Sequence, residues 1–479
     1  MLSDATTIRR NLPQLVRLQR GGIPWLAIAA IALGIIAAAA AGLAASGGHK
    51  MFAAPFVACA VIVLFVRVPQ LSFAALILFA STFAVVYSLP KAGSLYPAEA
   101  IMFLGLAALP LLRRTAFGGV VGVALSVFLF AVVLGIVAAT GHGVSVHEAL
   151  LEARTPVLYA SFWIALAAIR ANRRRFVTIV GAAAVLVALL AIVQYLLPGR
   201  QIFMTAGLPV VTSDSGFLRV RPPGLMFAYF GAIFGLAYLF WGPKRHRMRA
   251  VLLVALFSTA VLISLNRNMI VGLSAGLLVA FLVLPRRAQA SLKILATAAA
   301  AVALIGISGH GTLVQRILSL GNTSYLQRTT LADRAYEDTF ARATIARHPI
   351  SGIGWGVAYG AQIRDTSGLI HPRSFVHNQY YELWLKTGLL GLVSYVFLLA
   401  AAVFAGIRLV RRGEARQRWI GGAVVASIVA FAASSVVGAY IIDAGSIPAV
   451  VALLAIASAW PTPGARVSNN DSDAAYAAG

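Results

Sequence analysis

The chain has 479 residues, 60% of them hydrophobic and 11% charged, with a mean hydropathy of +0.87. No soluble globular chain of this size has that composition, and its long apolar runs are unlike the short alternating segments of a β-barrel. It reads as a polytopic helical membrane protein. The formal charge of +25 would suggest nucleic acid in a soluble protein, and the single cysteine, Cys59, excludes a disulfide framework and a cysteine metal site.

Residues 1–22 are polar and basic, with Arg9, Arg10, Arg17 and Arg20, and read as a cytoplasmic segment. The run 23–45 reads as a signal anchor rather than a cleaved signal peptide, because many spans follow it. Further candidate spans cover 51–66, 71–90, 99–112, 118–139, 157–170, 176–197, 224–241, 250–266, 268–284, 291–309, 389–407, 419–441 and 447–460. Three of them, at 51–66, 99–112 and 157–170, are short for a bilayer. The expected fold is all-α, with about 12–14 transmembrane helices and one long, partly helical periplasmic loop. Transmembrane helices with short loops fill 23–309, the long loop is 310–388, the C-terminal helices are 389–460, and 461–479 is a cytoplasmic, disordered tail.

Charge tests the orientation. With the N-terminus in the cytoplasm, alternation places Arg67, Arg113–Arg114, Arg170 with Arg173–Arg175, and Lys244 to Arg249 inside. Arg286–Arg287 and the cluster from Arg408 to Arg418 follow them. Every dense basic cluster obeys the positive-inside rule, so the charge reports topology and needs no nucleic acid. Both termini are then cytoplasmic, and the protein sits in a bacterial inner membrane.

The outer side carries three notable stretches. GHGVSVHEALLEARTP has amphipathic character and suits the membrane surface. The loop 198–223 contains FLRVRPPG. The long loop holds TTLADRAYEDTFARATIARH, which reads as an amphipathic helix, and its length marks it as the functional region. Arginines collect here: Arg316, Arg328, Arg334, Arg342, Arg347, Arg364 and Arg373, with Arg219 and Arg221 in the earlier loop. Arg267 lies between two spans with almost no loop, where a charge is costly unless paired or hydrated. Planar, permanently charged guanidiniums at an outer membrane face suit the oxygens of a lipid-linked diphosphate.

The long loop ends in FVHNQYYELWLKTGLLGL, residues 375–392, where polar sequence runs into an apolar helix. His377, Tyr381, Trp384 and Gly388 fall near one face at helical spacing. The stretch can be a membrane-entering helix with an interfacial aromatic belt, and His377 can serve as a general base near neutral pH. No HxH, HxxxH or HExxH spacing points to a metal, and the loop carboxylates do not bracket His377 along the sequence. HPISGIGWG lacks the Gly-Lys-Ser/Thr of a P-loop, so its glycines are expected to form a tight turn.

Three ordered pieces resemble the family of O-antigen ligases and O-antigen or exopolysaccharide polymerases. They are ADRAYEDTFARATIARHPISGIGWG, HNQYYELWLKTGLLGL with its Gly-x-x-Gly, and, upstream, RPPG at Arg221 with the NRN around Arg267. Members often carry Glu before the glycine pair, where this chain has Lys386–Thr387, and an aromatic residue where it has Asp338. The resemblance implies a metal-independent, inverting glycosyltransferase with no cofactor. It implies transfer of a glycan from a polyprenyl diphosphate to an acceptor hydroxyl at the periplasmic face. That acceptor is lipid A core for a ligase or a growing polysaccharide repeat for a polymerase. His377 would be the catalytic base, Arg221, Arg334 and Arg267 would bind the diphosphate, and Asn378 and Tyr381 would support the base. The partners are then the lipid-linked glycan, its acceptor and membrane lipid. A secondary transporter or flippase is the alternative, but the halves show no convincing internal repeat. A structural membrane scaffold that binds partners through its outer loop is a third reading.

Overall fold

The computed structural model describes residues 50–82, 97–112, 117–197, 211–214, 217–264, 266–283, 330–364, 370–413 and 417–459. The N-terminal segment 1–22, the spans 23–45 and 291–309, Arg316, Arg328 and the tail 461–479 lie outside the described residues. Two compact units meet at Val68. In the first, the described residues form helix α1, Lys50–Arg67.

The second unit is mostly helical. Its helices are α2 (Pro69–Ile77), α3 (Pro97–Ala108), α4 (Gly119–Gly141), α5 (Val146–Val157), α6 (Phe162–Ala171) and α7 (Arg173–Leu196). A hairpin of β1 (Val211–Asp214) and β2 (Phe217–Val220) leads to α8 (Leu225–Trp241), α9 (Arg247–Ile263) and α10 (Arg267–Val283). Then come α11 (Thr330–Arg347), a hairpin of β3 (Gln362–Arg364) and β4 (Ile370–Pro372), α12 (Gln379–Arg412), α13 (Arg418–Ser434) and α14 (Ile447–Ala459). The protein is thus an all-α, polytopic membrane protein. Among the described residues, four helices are long and apolar enough to cross a membrane: Gly119–Gly141, Arg173–Leu196, Lys244–Ile263 and Gln379–Arg412.

Local chemistry explains the ends of these helices. Asn172 caps α7 by accepting the Arg175 N–H at 2.9 Å. Three arginines in the first turn of α7 oppose the helix dipole, so their placement answers to topology rather than helix stability. Ser145 and Glu148 form a reciprocal capping box that starts α5. Pro156 cannot donate to the helix ladder, and α5 passes into a 3₁₀ turn at Leu158–Ser161.

Small residues draw the spans together, as expected where lipid tails are as apolar as side chains. A methyl at Gly272 of α10 would fall 2.3 Å from the Ala430 carbonyl of α13, and one at Gly276 would fall 2.3 Å from that of Ala426. Helix α12 packs along α4 and α13.

Helix α12 starts at Gln379 and passes through a kink just before the expected span 389–407. Gly388 sits there at φ +66° and ψ −168°. The loop 348–356 wraps this kink. Leu389 N–H, freed from the helix ladder, donates to the Pro349 and Ile350 carbonyls at 3.2 Å, and Ile353 N–H donates to Leu385 O at 2.7 Å. Trp355 then buries fully against α4, its indole N–H donating to Val132 O at 3.1 Å. The tight turn expected of HPISGIGWG is present, with Gly352, Gly354 and Gly356 all at positive φ.

The Gly388→Ala substitution would bring a methyl 1.9 Å from Ile350 O at a left-handed φ. It should cost about 1–3 kcal/mol or more in denaturant unfolding of the purified protein. Gly181→Ala, in open space within α7, should be neutral or stabilising by up to about 1 kcal/mol. Equal losses in the two variants would contradict the role assigned to the kink.

Candidate functional site

Helix α11 occupies the stretch read as amphipathic in the long loop. Asp333 in its first turn and Arg347 in its last complement the helix dipole. Glu337, Ala341 and Ile345 follow at i, i+4 and i+8, so they share one face. Ala341 and Ile345 pack into a small core with Ile353, Tyr359, Ala361, Val376 and Leu385. That packing fixes α11 and places Glu337, only 1% exposed, beneath residues 373–377.

A carboxylate so buried needs donors. The Arg373 guanidinium pairs with it. The His377 backbone N–H donates to its Oε2 at 3.0 Å, and His377 Nδ1 lies 2.9 Å from the same oxygen. A carboxylate can only accept, so Nδ1 carries the proton and Nε2 keeps its lone pair. The preceding amide is held in the same manner, since Val376 N–H donates to Glu382 Oε2 at 2.8 Å. Arg373 also lies 5.1 Å over the Phe375 ring, whose edge meets the His377 ring at 5.4 Å. Its Nε is buried with no hydrogen-bond partner among the described residues.

The reading that the loop carboxylates do not bracket His377 is overturned, since Glu337 of the long loop meets both its amide and its ring. Residues 337 and 377 meet because α11 folds back onto the base of α12, which local spacing does not encode.

Cations surround the imidazole. Burial depresses His377 most, followed by the guanidiniums of Arg334, Arg373 and Arg221, and together they bring it down to about 4. Asp333 pulls the other way without offsetting them, so the ring is neutral at pH 7. Burial also lowers Arg334 and Arg373 and raises Asp338, which bears on His377 from α11. Arg334 donates through Nη1 to Val437 O at 2.5 Å.

Two of the three arginines expected at the diphosphate, Arg221 and Arg334, therefore act on His377. Arg221 is exposed just beyond β2. Arg267 opens α10, and its side chain lies outside the described residues. Its neighbours are fixed: Asn266 accepts from Arg219 Nη2 at 3.1 Å, and Asn268 donates to Tyr440 OH at 2.7 Å. Asn378 supports the base from below by capping α12, accepting the Tyr380 and Tyr381 N–H groups. Tyr381 packs against the small core. Glu337 and Arg373 are the members that reading the sequence did not single out. No group of three or more His, Cys, Asp or Glu side chains among the described residues is placed to hold a metal.

The fold and this cluster define a polytopic helical membrane protein with a histidine–carboxylate pair set among guanidiniums, chemistry suited to deprotonating a hydroxyl beside an anion. Residues 250–396 match the model of the O-antigen ligase family. The matched stretch contains Arg267, Arg334, Glu337, Arg373 and His377, while Arg221 precedes it. No curated protein matches the chain.

Glu337→Ala would strand the Arg373 guanidinium in a site where its side chain is 11% exposed. The single variant should lose about 3 kcal/mol on unfolding, and the double variant Glu337→Ala/Arg373→Ala should lose less than the two singles summed. Additive losses would show that the pair is not coupled.

Proposed function

We propose that the protein transfers a glycan from a polyprenyl diphosphate carrier to an acceptor hydroxyl at the periplasmic face of the inner membrane, with both termini cytoplasmic. The observation that carries this reading is His377, with Nδ1 committed to a buried carboxylate and Nε2 left as a base beside three guanidiniums. Nε2 accepts the proton of the acceptor hydroxyl. The resulting oxygen attacks the anomeric carbon on the face opposite the diphosphate, and that carbon's bond to the phosphate oxygen breaks with inversion. The diphosphate leaves with the electron pair, its charge met by Arg221 and Arg334, with Arg267 as a third ligand. Arg373 supplies a further donor through its unpartnered Nε–H. Glu337 holds the ring's orientation and stabilises the imidazolium until the proton is released. No metal is required, because diphosphate is already a good leaving group and guanidiniums answer its charge. The acceptor is lipid A core or a growing polysaccharide repeat.

Purified protein given a polyprenyl-diphosphate glycan and each acceptor in turn tests the reading and separates ligase from polymerase. His377→Ala should insert normally and lose about 10²–10⁴-fold in rate. Arg221→Ala and Arg334→Ala should each lose about 10²-fold, and chelation by EDTA should change nothing. Full activity in His377→Ala would end the proposal, and movement of the lipid-linked glycan without transfer would favour a flippase.

The pH profile gives an independent test. In the free protein the guanidiniums hold His377 down to about 4. A bound diphosphate neutralises those cations and lets the imidazole rise. The acidic limb of kcat/KM, which reports the free enzyme, should therefore lie at lower pH than that of kcat, which reports the complex. Coincident limbs would show that the arginines and the donor do not meet at His377.

A further inference from the structure

The later turns of α11 line a cavity of about 340 Å³ that the reaction above does not use. Its lining includes His142 from the end of α4, Arg347 and His348 from the end of α11, and Phe340, Thr344 and Tyr359. The two imidazoles meet edge to face at 5.1 Å. No carboxylate is part of the lining, and no carboxylate pairs with Arg347 among the described residues. Thr344 and Tyr359 are bound to one another's segment, Thr344 Oγ1 donating to Tyr359 O at 3.2 Å, so the wall is preformed.

These groups specify a ligand. A permanently charged guanidinium with two imidazole donors suits an anion, and an unpaired arginine suits a carboxylate in particular. Two aromatic side chains supply apolar surface for the C–H face of a ring. The volume suits one sugar ring with some water, at the low end of small-molecule sites. The cavity is also joined to the reacting centre. The Tyr359 hydroxyl on its wall donates to Phe375 O at 3.2 Å, two residues before His377. On α11, Arg334, Glu337 and Asp338 lie near His377, while Phe340, Thr344 and Arg347 on the later turns line the cavity. Seven residues of helix, from Glu337 to Thr344, span about 10 Å, so a chain seated here would present its reacting end some sugar units away.

We propose that this cavity is a binding subsite for an acidic sugar residue, one bearing a carboxylate, within the glycan that the protein handles. Its place in the reaction rests on the glycan-transfer reading, but the binding does not.

The test is direct binding of a galacturonic acid trisaccharide to the purified full chain in nanodiscs, with maltotriose as the neutral control of equal length. The acidic trisaccharide should bind at least tenfold more tightly than maltotriose. Arg347→Ala should abolish that preference, Arg347→Lys should restore part of it, and Phe340→Ala should weaken binding of the acidic ligand. His377→Ala should bind as the unaltered protein does, even where it transfers nothing, so failure of the transfer reading leaves this result standing. Equal binding of the two trisaccharides, or an acidic preference that survives Arg347→Ala, would overturn the proposal. If Arg347→Ala fails to fold, loss of the preference in His348→Ala with retention in Arg347→Lys decides the matter, and its persistence in His348→Ala would count against the site.

Discussion

One buried carboxylate organises the site. Glu337 cannot stay charged at 1% exposure unless donors surround it, and the chain supplies three: the Arg373 guanidinium, the His377 amide and the His377 ring. Each of those bonds does something besides solvating Glu337. The amide bond fixes the backbone carrying the histidine. The ring bond selects a tautomer. The guanidinium pairs with Glu337 and, with burial and the charges of Arg334 and Arg221, helps keep the imidazole neutral. Removing the carboxylate would therefore disturb stability, geometry and basicity together.

The frame behind this cluster is built from broken helix. At Gly388, α12 gives up part of its hydrogen-bond ladder, and the carbonyls of the 348–356 loop take over the freed amide. Such a break survives near a membrane only where other backbone satisfies it. The loop in turn is clamped to α4 by Trp355. Two stretches that looked like separate motifs in the chain are thus halves of one joint, and the joint lies about three turns of helix from His377 and Glu337.

Much of this was legible in the amino-acid pattern. Apolar length and arginine placement revealed the helices, and the ordered pieces around Arg334 and His377 revealed the family. Asn378 caps α12. Two things were not legible. The contact of Glu337 with His377 joins residues forty positions apart through a fold-back of α11, and no local period reports such a contact. Arg373 was one of many loop arginines, and only its burial against Glu337 sets it apart. The first turns of α12 are polar and aromatic, so hydropathy alone does not count them, and Asn378 caps them as helix.

Lys386 carries a consequence of its own. It is wholly buried in α12, with Nζ donating to Val357 O at 3.0 Å and lying 3.2 Å from Glu152 of the amphipathic α5. The cation is answered by an acid from a different helix as well as by the field of Glu382 on its own. A buried charge cannot change sign alone. Positions 152 and 386 are therefore bound to drift as a pair: lineages that exchange the sign at one must exchange it at the other, or neutralise both. Natural variation at these two sites would carry a record of how α5 came to be docked beside the catalytic loop.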